Sequence, residues 1–203
     1  MKAFYAVLLG VFLCAHPAIA QEDTPDALIH KVTEDVLRIV RQDKDIQNGN
    51  TKKAMALVEA QVLPHFNFYR MTALAMGRDW NKATPEQKKR LAEEFKTLLV
   101  RTYSNALTGY RNQTVRYKPT RLQAGDTDVV VRTEVVQPGS KPIALDYALE
   151  KNDVWKVYDV IVAGVSLVTN YRDTFTQEVR ANGIDGLVQM LSAKNKQLEA
   201  GKK

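Results

Sequence analysis

The apolar residues of this chain change their spacing twice, and those two changes limit the fold more than any single motif does. From Thr24 to about Tyr110 the apolar positions recur every three to four residues. From about Asn112 to Ala163 they alternate with polar ones, and beyond Ser166 the helical spacing returns. A period near 3.6 marks helices that bury one stripe, and a period of two marks strands that bury one face. Thr24 can cap a first helix with Pro25 at its first position, where the missing N–H costs nothing; Ile29, Val32, Val36, Ile39 and Val40 follow at helical spacing. Asn48-Gly49-Asn50 breaks the chain. A second helix runs from Thr51 to Leu63, stopped by Pro64, and a shorter one spans His65 to Met76, ended by Gly77. Thr84-Pro85-Glu86-Gln87 is a capping box opening a long helix with Leu91, Phe95, Leu98, Leu99, Tyr103, Ala106, Leu107 and Tyr110 on one stripe.

Four strands are expected in the alternating block. Val115 and Tyr117 alternate with Arg116 and Lys118 in the first. Val129, Val131, Thr133 and Val135 form one face of the second, and Ile143, Leu145, Tyr147 and Leu149 one face of the third. The fourth covers residues 154–163. The connections carry Gly125-Asp126, Pro138-Gly139-Ser140 and Asn152-Asp153, all turn-forming, so the strands are expected to be antiparallel neighbours with one wet face. Ser166 can cap the next helix, which carries Val168, Tyr171, Phe175 and Val179 and breaks at Asn182-Gly183. A last helix holds Ile184, Leu187, Val188 and Leu191 and runs into a polar tail from about residue 195. The expected fold class is α+β: one domain, a four-stranded antiparallel sheet covered by N- and C-terminal helices.

Residues 1–20 read as a cleavable signal peptide. Met1-Lys2 is followed by an apolar run to Ala15, and Ala18-Ile19-Ala20 places cleavage after Ala20. The run is shorter than the ~20 residues a membrane span needs. Cys14 has Leu13 before it, where a lipoprotein signal would carry a small residue. The exported domain is then 21–203, free of cysteine, without thiol chemistry or disulfides. The chain carries a net charge of +6, but export argues against a nucleic-acid partner. Basic residues alternate with acidic ones except at Lys88-Lys89-Arg90, which is either a solvated helix face or a contact for anionic headgroups or an acidic protein.

Chemistry-bearing motifs are scarce. There is no nucleophile elbow, zinc-protease motif, phosphate loop or dinucleotide fingerprint, and only His30 and His65 remain beyond the signal, too far apart for a metal pair. His65 reads as a capping or partly buried side chain. Asp146 and Asp159 lie on strands, so an acid–base pocket on a ketosteroid-isomerase-like scaffold is one alternative reading, and a non-lipid adaptor is another. The many apolar side chains fit a filled core or a lined cavity equally well.

A series of motifs carries a resemblance. They are Pro64-His65-Phe66-Asn67-Phe68 with Met71, Ala75 and Gly77…Trp80; Thr84-Pro85-Glu86-Gln87 before Phe95 and Tyr103; Trp155-Lys156-Val157-Tyr158-Asp159-Val160; Gly164-Val165-Ser166-Leu167; and Gly183-Ile184-Asp185-Gly186-Leu187. In this order the chain, over about residues 25–195, resembles the MlaC or toluene-tolerance Ttg2 family. Asn67 departs from the Asp that the family often has, and Ala163 from its frequent Glu. The resemblance implies a periplasmic phospholipid carrier with an NTF2- or cystatin-like arrangement and no enzymatic activity or cofactor, its cargo held between sheet and helices. It implies as partners an inner-membrane MCE-domain subunit of an ABC transporter and an outer-membrane lipoprotein–porin complex, and a monomeric carrier. The residues expected to face lipid, from inward faces, are Phe66, Phe68, Met71, Leu74, Phe95, Leu98, Leu99, Tyr103, Leu107, Val129, Val131, Ile143, Leu145, Tyr147, Val165, Leu167, Tyr171 and Phe175.

Overall fold

A computed structural model describes residues 24–201, so the expected signal peptide lies outside the described residues. Helix α1 is Pro25–Gln42, and the Thr24 side chain accepts the Ala27 N–H at 3.3 Å. A single turn, α2 (Lys44–Gln47), leads to α3 (Thr51–Gln61), capped by Asn50. Pro64 holds a 3-10 turn at Leu63–His65, and α4 is Phe68–Met76. Gly77 closes α4 at φ 56°, a left-handed conformation that side-chain-bearing residues rarely adopt. The capping box expected at Thr84 is present in both directions, at 3.2 and 3.0 Å, and opens α5 (Pro85–Tyr103). One turn, α6 (Asn105–Thr108), precedes the sheet.

The sheet has strands β1 (Thr114–Tyr117), β2 (Asp128–Val136), β3 (Ile143–Lys151), β4 (Trp155–Val162) and β5 (Val165–Ser166), antiparallel and in sequence order. The four expected strands are found; β5 is additional. It exists because Ala163 and Gly164 both take positive φ, 50° and 84°, which turns the chain in two residues and lays Val165-Ser166 back on β4. Ser166 does not cap the main helix: its hydroxyl accepts the Thr169 N–H at 2.9 Å in the turn leading to a 3-10 helix (Thr169–Tyr171) whose N-cap is Val168. The main helix, α7, is Arg172–Ala200. The break expected at Asn182-Gly183 is there as a kink: Gly183 sits at φ 73°, ψ −176°, outside helical geometry, and separates two helical stretches of α7.

Between β3 and β4 the register shifts, with Ala148 opposite Asp159 but Leu149 opposite Val157. The extra residue re-aims the strand so that Val157 and Val160 both turn toward the interior. Phe66 forms a parallel bridge to Val157, and the Asn67 N–H reaches the Val157 carbonyl at 2.8 Å, so the chain entering α4 covers one end of the β4 edge while β5 covers the other. At the opposite edge, β1 carries Arg116, which with the following Lys118 is paired to Glu134.

Apolar side chains gather in three places. Helices α4, α5 and α7 close on Met71, Ala75, Leu91, Phe95, Leu98, Phe175, Leu187 and Leu191. The end of α1 packs with α2 and α3 through Val36, Val40, Ile46, Ala54 and Leu57. Ile29 lies on the sheet against Val131, Leu149, Trp155 and Val157. Between these packed regions the interior is hollow.

Candidate functional site

The hollow consists of two chambers. The larger, about 460 Å³, lies between α1 and the sheet, and the smaller, about 250 Å³, between α3, α4, α5 and β4. Val36, Val62, Phe66, Ala106 and Leu107 line both, so the two are adjoining parts of one interior. Each is in or near the ~300–1,000 Å³ range of sites that enclose organic ligands.

Local sequence explains the walls. Period-three-to-four spacing on α1 presents Leu28, Ile29, Val32, Val36 and Leu37 to the larger chamber. Period-two alternation on β3 presents Ile143, Leu145 and Tyr147 from the other side. Val58, Val62, Ala106 and Val160 are short side chains that do not reach across, which leaves the smaller chamber open. Among the described residues, no Asp, Glu, Lys or Arg lines either chamber. Two of the polar groups are satisfied by partners of their own. The Ser104 hydroxyl donates to the Val100 carbonyl at 2.6 Å, and the Tyr110 hydroxyl accepts from Arg41 Nε at 2.8 Å. Burial pushes the Tyr147 phenol well up, keeping it neutral. His65 lines the larger chamber, and burial, then the charges of Lys156 and Lys31, lower its pKa, so it is neutral at pH 7.

Of the residues expected to face cargo, ten line this interior: Phe66, Phe68, Met71, Leu99, Tyr103, Leu107, Ile143, Leu145, Tyr147 and Leu167. Eight do not. Phe95, Leu98 and Phe175 are buried in the helical core, with Leu74 and Tyr171 packed against it. Val131 is consumed by the contact with Ile29, with Val129 beside it. Val165 is 55% exposed on β5. What the sequence reading missed is α1 and the short residues Val58, Val62, Ala106, Val115, Val135, Val157 and Val160. The α1 stripe is visible in the sequence; nothing in its period distinguishes a wall from a packed face.

The acid–base alternative needs a carboxylate facing the interior. Neither Asp146 nor Asp159 lines a chamber. Asp159 is 8% exposed, and its pKa is raised by burial, partly offset by its hydrogen bonds. Its oxygens accept from the Ser166 hydroxyl at 2.5 Å and from the Val160 and Val168 N–H groups at 2.8 and 3.3 Å, so the carboxylate holds the β4–β5 turn together. Asn67 has a physical reason too. Its Oδ1 caps α4 at the Arg70 N–H, 3.0 Å, while its Nδ2 donates to Glu150 at 2.7 Å, where an Asp would set one carboxylate against another. Arg70 completes the cluster, pairing with Glu150 and Asp128 while its guanidinium lies 3.6 Å from the Tyr158 ring centre.

Comparison with known proteins agrees with this geometry. The chain is 24% identical over 195 residues to the intermembrane phospholipid transport system binding protein MlaC of Haemophilus influenzae, covering 93% of this chain and 91% of that one. It is 28% identical over 180 residues to the toluene tolerance protein ttg2D of Pseudomonas putida, covering 87% and 83%. A solved structure of a phospholipid-binding protein from Ralstonia solanacearum, in complex with a phospholipid, superposes with a TM-score of 0.79 at 44% identity, over 86% of this chain and 98% of that one. The model of the MlaC protein family matches residues 30–193, nearly all of the described chain, and the protein belongs to that family.

Proposed function

We propose that this protein binds phospholipid and carries it between membranes, with the acyl chains in the two chambers. The observation that carries the reading is an apolar interior of two adjoining chambers with no charged side chain on its walls. An acyl chain of ~16 carbons exposed to water costs on the order of 13 kcal/mol, at ~0.8 kcal/mol per CH₂. Two such chains make unaided crossing of an aqueous gap negligible, so a carrier has to offer a lipid-like interior. It must also release its cargo, and apolar walls without polar clamps let its affinity stay close to that of a bilayer.

The word intermembrane in one relative's name supports a place in the periplasm; in this reading the signal is removed after Ala20. In this reading its exchange partners are an MCE-domain subunit of an inner-membrane ABC transporter and an outer-membrane lipoprotein–porin complex. Direction is set by those partners. The experiment is native mass spectrometry of the purified mature protein, followed by lipid extraction. Co-purifying phospholipid at stoichiometric occupancy is expected. Protein that is empty as isolated, and that accepts no labelled phospholipid from vesicles, would defeat the reading.

A further inference from the structure

Outside the chambers, the face formed by α4 and α5 combines features that the carrier reading does not use. A surface groove of about 270 Å³ runs between the two helices, lined by Phe68, Tyr69, Lys89, Ala92, Glu93 and Lys96. Tyr69 is 51% exposed and meets Trp80 edge-to-face at 4.8 Å, with Lys88 Nζ 5.4 Å from the Trp80 ring centre. Lys89 and Lys96 are seven residues apart, two turns of one helix face, about 10 Å along its axis. Among the described residues none of these three lysines has an ion-pair partner, and Glu93 is the one carboxylate in the groove.

Phe68 lines both the groove and the smaller chamber. A single aromatic residue therefore stands between this outer face and the apolar interior. The α5 face leads the same way, from Lys89 through Lys96 to Leu99 and Tyr103 on the chamber wall.

We propose that the α4–α5 face is a docking surface for an anionic lipid bilayer, a proposal that rests on the carrier reading above. Tyr and Trp rings sit at the headgroup level of a membrane, and lysines lay their aliphatic stems on apolar surface while presenting charge to phosphates. Charge and aromatic exposure coincide here on the outer side of the chamber wall. Docking by this face brings headgroups to within one ring of the space the acyl chains occupy.

The two tryptophans provide the assay, since half-buried Trp80 borders the docking face through Tyr69 and Lys88 whereas Trp155 is 3% exposed in the core. Vesicles of phosphatidylglycerol and phosphatidylcholine should pellet the mature protein and shift its tryptophan emission to the blue. Phosphatidylcholine alone should do neither, and added salt should weaken binding. The double variant Lys89→Glu/Lys96→Glu should bind at least roughly tenfold more weakly, since each lysine near such a surface contributes about a fivefold factor. Trp80→Phe should abolish the shift while leaving pelleting in place. The proposal is overturned if the charge-reversed variant pellets like the wild type, if neutral vesicles bind equally, or if the shift survives in Trp80→Phe. It is also overturned if polyglutamate produces the same shift as vesicles, which would make the face a site for acidic protein. Native mass spectrometry of the same samples separates the two readings. A wild type that carries phospholipid but ignores vesicles defeats the docking proposal alone, whereas an empty wild type counts against the carrier.

Discussion

Helix α5 is two different walls. Its N-terminal part, through Leu98, turns Leu91, Phe95 and Leu98 into the packed region shared with α7. Its C-terminal end turns Val100 and Tyr103 toward the smaller chamber, and Leu99, at the junction, belongs to both. The residue types are alike and the stripe is continuous, yet one half is filled and the other hollow. What differs is the opposing surface. Against the first half stand rings: Phe95 meets Tyr171 and Phe175 at 5.2 Å each, and those two lie 5.7 Å apart. Against the second half stand Val58, Val62, Ala106 and Val160, too short to close the gap. A cavity in this fold is made by what its walls lack, while the packed half supplies the rigidity that keeps it open.

That contrast can be broken most severely at its filled end. Phe95→Ala removes a fully buried ring and should cost about 3–5 kcal/mol of stability, roughly a 10 °C fall in the thermal midpoint. Melting should be followed on delipidated protein, because bound lipid raises the midpoint by mass action. A fall of only a degree or two would show that this half is not the rigid one. Leu107→Trp probes the hollow end, because Leu107 borders both chambers. The added volume enters space already present, so stability should change by less than about 1 kcal/mol, below the usual 1–3 kcal/mol cost of overpacking. Phospholipid per protein should fall to less than half of the wild-type value. Large destabilisation with cargo intact would mean that the chambers are not where the chains lie.

The smallest effect concerns pH. His65 at the chamber wall has a folded pKa below its ordinary value, because of burial and then the lysines Lys156 and Lys31. The unfolded chain therefore binds more protons over the interval between the two values. Stability from this residue is complete above about pH 6.5 and is lost as pH falls toward the folded value. Urea midpoints measured from pH 7.5 down to 5 should decline less steeply in His65→Gln than in the wild type. Identical slopes would mean that His65 stays solvated in the native state.

The difference between the halves of α5 also shows what the sequence could convey. Thr24, Thr84 and the alternation from Val129 to Leu149 specify elements through local chemistry, and the structure places those elements as expected. Local chemistry also underlies the two-residue β5, but its signal was Gly164 after Ala163 adopting positive φ, and Ala in that conformation is unusual. Wall and core are different in kind. Phe95 and Tyr103 share a stripe and a residue class, and only the identity of the opposing side chains tells them apart. Those arrive from α7 in one case and from α3 and β4 in the other. Period reports that a side chain turns inward, not what it meets there. The same holds for α1, whose stripe was legible while its role as the largest wall was not.

The edges of the sheet bear on how a hollow protein survives being emptied. A strand edge with free N–H and C=O groups is a template on which a second molecule can extend the ladder. Here one edge is covered at one end by Phe66-Asn67 and at the other by β5. The other is a four-residue strand that carries Arg116 and is followed by Lys118 and then Pro119, which has no N–H to offer. Neighbouring molecules therefore meet charge, proline and an already paired strand whether the chambers are filled or empty. The carrier proposed above can stand unloaded without offering an edge for fibril growth.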